Sequence, residues 1–172
     1  MAEIYKLTNS SKWKYFYKIL LVTFLFHAFG GIVLLFYKNV KEIDLFLKVL
    51  LMILLGWFVL FALPTFLLYF NHKKRSKDVI LNQNKGLFTY VDSSKVSEFK
   101  LAEIEKIELY LSPPSYDNRL DIMYFGIYNY TVFYIKNGDV IDISCLVFDQ
   151  TEEVFSEKLI GRKKKSFPVM KK

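Results

Sequence analysis

The sequence has few of the residues that support disulfides, metal sites and histidine chemistry. Its 172 residues include one cysteine, Cys145, and two histidines, His27 and His72. One cysteine excludes an internal disulfide and an all-cysteine metal site, and two histidines leave little for a histidine-rich metal cage. Glycine and proline number only 7 and 4, and apolar residues are abundant, which excludes collagen-like repeats and a disordered chain.

The chain also lacks the motifs that would indicate an enzyme. It contains no G-x-S-x-G, no phosphate-binding glycine-rich loop, no H-E-x-x-H and no C-x-x-C. Both histidines lie in or against apolar segments, so no Ser-His-Asp or Cys-His site is expected in a soluble domain. Glu103, Glu105 and Glu108 are interpreted as a solvated face. We therefore expect no catalytic activity, no cofactor and no bound metal.

Long charge-free segments are what the sequence does have. Residues 19–37 and 49–70 contain no Asp, Glu, Lys or Arg. As helices they would be roughly 28 and 33 Å long, against a bilayer hydrocarbon core of about 30 Å. Neither shows the polar stripe of a soluble amphipathic helix. The pattern predicts a transmembrane hairpin in residues 1–77, with helices at about 15–37 and 45–70.

Inside these segments, several residues invite a functional interpretation. His27 is a candidate proton relay, or a neutral imidazole bonded across the hairpin or to a carbonyl. Gly30, Gly31 and Gly56 would let the two helices approach closely. Pro64 removes a backbone donor and is expected to kink the second helix.

The basic residues predict the orientation and the surface contacts of the hairpin. Each outer flank of the hairpin has four, whereas the connecting loop has only Lys38 and Lys41, offset by Glu42 and Asp44. This distribution predicts cytoplasmic termini and a multi-pass protein of the inner or plasma membrane. Anionic phospholipid headgroups are their expected partners. The candidate contacts are Lys12, Lys14, Lys18, Lys73, Lys74, Arg75, Lys77, Arg162, Lys163, Lys164 and Lys165.

Nucleic acid is not the expected partner, although the isoelectric point is near 9.3. Residues 78–160 hold fourteen acidic and seven basic side chains, so the positive charge lies outside the predicted soluble domain. The polybasic tail, residues 162–172, is expected to lie along the anionic leaflet and to hold the acidic domain against the membrane.

Residues 78–161 predict an antiparallel β domain with a closing helix. Short apolar runs alternate with turn signals, of which Asn137-Gly138 is the strongest, and a type I′ turn is expected there. Asp149 and Glu152 have the spacing of a helix start, and the helix is expected to run to about Ile160, where Gly161 ends it. The fold class is therefore α+β, with a curled sheet or barrel capped by a C-terminal helix.

This order of elements resembles the YcxB-type family of bacterial membrane proteins. The similar stretches are 79–81 with 86–88, then 98–99 leading into 104–107, then 130–148 with 153–159. Phe99 stands where that family usually has tryptophan. The resemblance implies two transmembrane helices followed by a pleckstrin-homology-like (PH-like) cytoplasmic domain, and it carries no established activity.

Two functions of different classes remain open. The first is a membrane-anchored, cytoplasm-facing PH-like interaction module that binds a protein partner at the inner membrane face. The alternative is a homo-oligomeric small membrane protein that acts as a solute conduit or as an accessory subunit of a transporter.

Overall fold

The computed structural model describes residues 3–36, 43–121 and 126–170. The helices of these residues are α1 (Asn9–Lys12), α2 (Lys18–Phe36), α3 (Ile43–Trp57), α4 (Leu63–Ser76), α5 (Pro113–Tyr116) and α6 (Thr151–Val154). The strands are β1 (Glu3–Lys6), β2 (Ile80–Asn84), β3 (Leu87–Val91), β4 (Val96–Lys100), β5 (Ile104–Leu111), β6 (Asn129–Ile135), β7 (Val140–Ser144) and β8 (Ile160–Lys164).

The two apolar helices are inserted between two neighbouring strands of one sheet. Strand β1, which the sequence did not predict, precedes the first helix and pairs antiparallel with β2, which follows the second. Lys6 lies opposite Ile80 and Glu3 opposite Gln83. The β domain therefore begins before the helices and continues after them, and both ends of the hairpin meet at the same edge of the domain.

Each apolar helix contains a π-helical turn. The first runs from α1 through Trp13–Tyr17 into α2, and the second from α3 through Phe58–Ala62 into α4. Pro64 lies in the first turn of α4, immediately after the second π-helical turn. Because proline has no backbone N–H, the regular hydrogen-bond ladder cannot continue through it, which explains the irregularity at this place.

Both helices are long and apolar enough to cross a membrane. The candidate spans are Asn9–Val33 and Leu47–Ser76, and few of their side chains are buried. Phe24 and Leu51 are each 68% exposed, and Phe29 is 67% exposed. Side chains of this size, exposed around most of a helix, need an apolar surrounding.

The contacts between the two apolar helices involve only one of the three glycines that were expected to allow close approach. Phe26 stacks on Trp57 with centroids 4.4 Å apart. Gly30 faces the second helix, because a Cβ built on it would lie 3.6 Å from Leu50 and Leu54. For Gly31 and Gly56, no atom of the described residues lies within 4 Å of such a Cβ, so a role in close approach is seen only for Gly30 there.

His27 bonds within its own helix. Its Nδ1 lies 2.7 Å from the carbonyl oxygen of Thr23. A carbonyl only accepts, so Nδ1 donates, as expected for an imidazole bonded to a carbonyl.

Two four-stranded sheets enclose the core of the β domain. Their orders are β1-β2-β3-β4 (sheet A) and β7-β6-β5-β8 (sheet B). Inward-pointing residues alternate with outward ones along the strands, and the core is formed by side chains such as Phe88, Phe99, Ile107 and Phe133. The described strands close no barrel.

The predicted C-terminal helix is wrong. One turn of α-helix forms, α6, Phe155 then adopts an extended backbone, and a 3₁₀ turn follows at Glu157–Leu159. Its ring packs 5.4 Å from Phe88 and 5.3 Å from Phe133, which fills the core that the helix was expected to cover. Residues 160–164 form β8 parallel to β5, so they satisfy hydrogen-bonding groups along that strand, and residues 162–164 do not belong to a free tail.

The predicted type I′ turn is wrong for Asn137-Gly138, and a turn of that type is found instead at Lys85-Gly86. Lys85 and Gly86 have φ of 47° and 81°, the two positive values that a type I′ turn requires. At the predicted type I′ site, the Gly138 N–H donates to the carbonyl of Ile135 and only Gly138 has positive φ, at 90°. This is a three-residue loop that ends in a left-handed glycine.

We expect Gly138→Val to destabilise the β domain by about 1–3 kcal/mol, because a β-branched residue is strained at positive φ. Thermal melting of the full chain in detergent measures this. Val140→Ala, at an exposed strand position, is the matched control and should change the melting temperature much less. Equal melting of the Gly138 variant and the control would contradict the turn assignment.

Candidate interaction surface

The end of α4 is embedded in the β domain. Thr65, Leu68, Tyr69, His72 and Ser76 are all buried. They recur every three or four residues, with Leu68 and Tyr69 adjacent, so they share one face of the helix. Leu68 and Tyr69 belong to a buried cluster with Tyr15, Tyr128, Cys145 and Leu146. Tyr15 comes from the first apolar helix, Tyr128 directly precedes β6, and Cys145 and Leu146 directly follow β7. The second apolar helix and the β domain therefore form one packed body.

His72 joins this helix to β7 and to the C-terminal segment. It is fully buried, its Nδ1 lies 2.9 Å from Ser144 Oγ, and its Nε2 lies 2.8 Å from the carbonyl oxygen of Pro168. The carbonyl must accept, so Nε2 donates, and Nδ1 of the neutral ring accepts from the serine hydroxyl. The same hydroxyl accepts the backbone N–H of Leu146.

The sequence analysis missed this arrangement, since it placed His72 against the membrane and away from any serine or cysteine. Cys145 Sγ also lies 3.9 Å from Nδ1. Burial raises the pKa of the Cys145 thiol to about 11, so the thiol stays protonated at neutral pH. His72, Ser144 and Cys145 are all at most 2% exposed, and the geometry is that of a buried structural contact.

Asn71, the neighbour of His72, holds one residue of the C-terminal segment by its backbone. Its Oδ1 accepts the N–H of Met170 at 3.0 Å, and its Nδ2 donates to the Met170 carbonyl at 3.4 Å. The Met170 side chain is 4% exposed and packs on Tyr130 and Val132, which lie on the outer face of sheet B.

A pair of tyrosines forms the floor beside Met170. The rings of Tyr110 and Tyr130 lie opposite each other on β5 and β6 and stack with centroids 4.6 Å apart. Lys165 Nζ is 4.8 Å from the Tyr130 centroid and donates to Tyr130 Oη at 2.8 Å and to the Val169 carbonyl at 2.6 Å. We call this surface the tail groove: Asn71, His72, Tyr110, Tyr130 and Val132, occupied by residues 165–170.

An open recess of about 300 Å³ adjoins the tail groove. Its lining consists of Tyr110, Tyr130, Val132, Asp142 and Lys165. The Asp142 carboxylate makes no hydrogen bond or ion pair with the described part of the chain. A carboxylate beside tyrosine faces provides the chemistry that binds an ammonium or guanidinium group.

Glu108, expected on a solvated face, is instead 7% exposed on the outer face of sheet B. Lys106 donates to its Oε1 at 2.6 Å, and Tyr110 and Tyr134 donate to its Oε2 at 2.7 and 3.1 Å. These hydrogen bonds, led by that of Lys106, lower the pKa of Glu108 from 4.5 to about 2. The charged carboxylate therefore fixes the tyrosines beside the tail groove.

We expect Glu108 to make the protein acid-sensitive. Its pKa is lower in the folded state, so its stabilising effect is complete above pH 4.5 and is lost as the pH falls towards 2. Unfolding midpoints measured across this range should fall less steeply for Glu108→Gln than for the unsubstituted protein. Glu98→Gln, at an exposed position of β4, serves as the control and should keep the full pH dependence. The same slope for all three proteins would contradict the assignment.

Most candidate contacts near the C-terminus are paired within the domain. Arg162 pairs with Glu152, and Lys164 with Asp117, at 2.6 and 2.7 Å. Lys163 Nζ lies 3.9 Å from Glu108. With Lys165 bound in the tail groove, residues 162–165 belong to the folded domain and not to a free tail. Their binding to headgroups stays a prediction.

Fewer of the candidate contacts near the helices form ion pairs with the described residues. Lys14 pairs with Asp149 at 2.5 Å, and Lys12 donates to Asn9 at 3.3 Å. Lys73 lies 5.7 Å from the ring centroid of Tyr69. The remaining members are Lys74, Arg75 and Lys77, of which Arg75 is half-buried, and Lys18, which begins α2 and whose side chain is outside the described part. Their binding to headgroups stays a prediction.

The part of the chain that the structure describes contains no group of three His, Cys, Asp or Glu side chains placed to hold a metal ion.

Comparison with known proteins identifies the family. The family model described as PH domain matches residues 4–154, from β1 to the last residue of α6, with both apolar helices inside the match. The chain belongs to the PH domain family. No curated protein and no solved structure matched it.

Proposed function

We propose that this protein is a membrane-anchored, cytoplasm-facing PH interaction module that binds a protein partner at the inner membrane face and has no catalytic activity. The observation that carries the proposal is the insertion of the apolar hairpin between β1 and β2, together with the burial of α4 in the domain. An anchor built in this way gives the module a fixed distance and orientation relative to the bilayer. The proposal includes the YcxB-type resemblance, because the two apolar helices precede strands β2 to β8, although β1 lies before the helices.

The pairing of β1 with β2 requires both flanks of the hairpin to be on the same side of a membrane, whichever side that is. The basic residues of the two flanks select the cytoplasmic side. There, anionic headgroups would attract the exposed lysines of α4. The outer face of sheet A, and the part of sheet B that residues 165–170 leave uncovered, would remain available to a protein. Nucleic acid is not part of the proposal.

A second candidate function is the homo-oligomeric conduit or accessory subunit. It is favoured by Gly31 and Gly56, which have open space beside them and are not used within the hairpin. Small residues on a lipid-facing helix surface allow close approach of another helix.

Photo-crosslinking in intact cells separates the two functions. A photoreactive amino acid would replace Val96 or Val140 on the β domain, or Ile32 or Ile53 on the helices, all of which are exposed. The proposal predicts a discrete adduct with a different protein from the domain positions. Adducts between copies of this chain from the helix positions alone would overturn it and support the conduit.

A further inference from the structure

We infer that the tail groove is a peptide-docking site that the protein's own C-terminal segment occupies in competition with a partner. The inference deepens the proposed function and rests on it, because it names the surface and the kind of partner segment. The proposed occupant is an extended segment with a small or proline residue, an unbranched apolar residue two positions later, and a basic residue close by.

The contacts of the tail groove recognise an extended backbone. His72 binds the Pro168 carbonyl, and Asn71 binds both backbone groups of Met170. Main-chain contacts of this kind do not depend on the identity of the bound side chains. Selectivity is left to the apolar surface of Tyr130 and Val132 under Met170.

Residues 165–170 are the part of the C-terminal end that a partner segment can replace most easily. Strand β8 ends at Lys164, so residues 165–170 lie outside helices and strands, and Ser166 is exposed. A segment held by side-chain contacts outside a ladder opens locally at a lower free energy than the strands beside it.

Charge complementarity defines the rest of the partner. Asp142 lies in the adjoining recess with its carboxylate unpaired within the described residues, next to the rings of Tyr110 and Tyr130. A lysine or arginine of a bound segment would place its charge between this carboxylate and the tyrosine faces. A purely apolar or acidic segment would leave Asp142 without a partner.

The test uses the full-length protein in detergent and a fluorescent peptide with the sequence of residues 165–172. Met170→Gly removes the contact of the internal segment with Tyr130 and Val132, leaves its Phe167 and Val169 contacts, and keeps every residue of the tail groove in place. Fluorescence anisotropy should show the peptide binding at least about tenfold more tightly to this variant than to the unsubstituted protein. Met170→Leu, which keeps an apolar side chain, is the matched control and should bind weakly.

Two further variants and one control test whether the peptide binds in the tail groove. Asn71→Leu or Asp142→Asn, added to Met170→Gly, should each reduce peptide binding, whereas Asn84→Ala on the far hairpin should not. Equal peptide binding by the Met170→Gly and Met170→Leu proteins, or binding unchanged by Asn71→Leu, would overturn the inference. Dimers of the Met170→Leu protein formed by exchange of tails would also overturn it, since the occupant would then be a second copy.

The proposed function can be judged separately. Photo-crosslinking at Val96 or Val140 reports a partner within reach of these two positions, and it does not depend on the tail groove. Adducts there with no peptide binding to Met170→Gly would overturn the docking site and leave the interaction module in place.

Discussion

Replacing His72 with leucine is expected to lower the stability of the full-length protein by about 2–5 kcal/mol and to release residues 166–170. The imidazole is fully buried and is hydrogen-bonded to Ser144 and to the Pro168 carbonyl. Leucine leaves both groups buried without this partner, and each such loss costs about 1–3 kcal/mol. Thermal melting in detergent measures the stability, and hydrogen exchange measures the release of the segment.

The matched control is His27→Leu. That imidazole bonds only to the Thr23 carbonyl of its own helix among the contacts described here, so its loss should shift the melting temperature much less. Similar shifts for the two variants, or unchanged exchange at residues 166–170 in His72→Leu, would contradict the role assigned to His72.

The second large expected effect is on the activity of a reporter fused to the hairpin. Such a reporter is either active or inactive, depending on the side of the membrane on which it lies. A cytoplasm-active reporter fused after Lys77 should give a full signal, and the same reporter fused at Asn39, which lies outside the described residues, should give none. The reason is the concentration of basic residues on the outer flanks of the hairpin.

Fusion before Glu3 should also be active, because β1 pairs with β2 on the same side. Activity at Asn39 with none at Lys77 would reverse the orientation. Activity at only one of the two flanks would show that β1 and β2 lie on opposite sides of the membrane and cannot pair.

The sequence predicted those parts of the fold that depend on local patterns. Strand β5 is an example, because the alternation of apolar and polar residues along residues 104–111 is the local pattern of a strand. The apolar helices were visible because they are long and uncharged. Strand β1 was missed because four residues carry little pattern and their partner lies beyond the whole hairpin.

The errors at the C-terminus and in the candidate site have the same origin. Residues 151–160 have helical spacing, but Phe155 packs into the core and residues 160–164 pair with β5. These tertiary contacts override the local helical preference. The contact of His72 with Ser144 and Pro168 joins three distant parts of the chain. Nothing in the lysine-rich surroundings of His72 indicates it.

A disulfide across β1 and β2 tests the central claim that one PH domain is closed around the inserted hairpin. Ile4 and Asn82 lie directly opposite each other, within reach of a disulfide if both are replaced by cysteine. Thr89→Cys with Glu98→Cys, an opposed pair on β3 and β4, is the positive control, and the single variants are the negative controls.

Membranes containing the double variants would be oxidised, and the hairpin loop then cut with a protease at a site introduced there. The account predicts that the Ile4–Asn82 variant stays in one piece until a reductant is added. Two separate fragments from this variant without reductant, while the β3–β4 control forms its disulfide, would contradict the account.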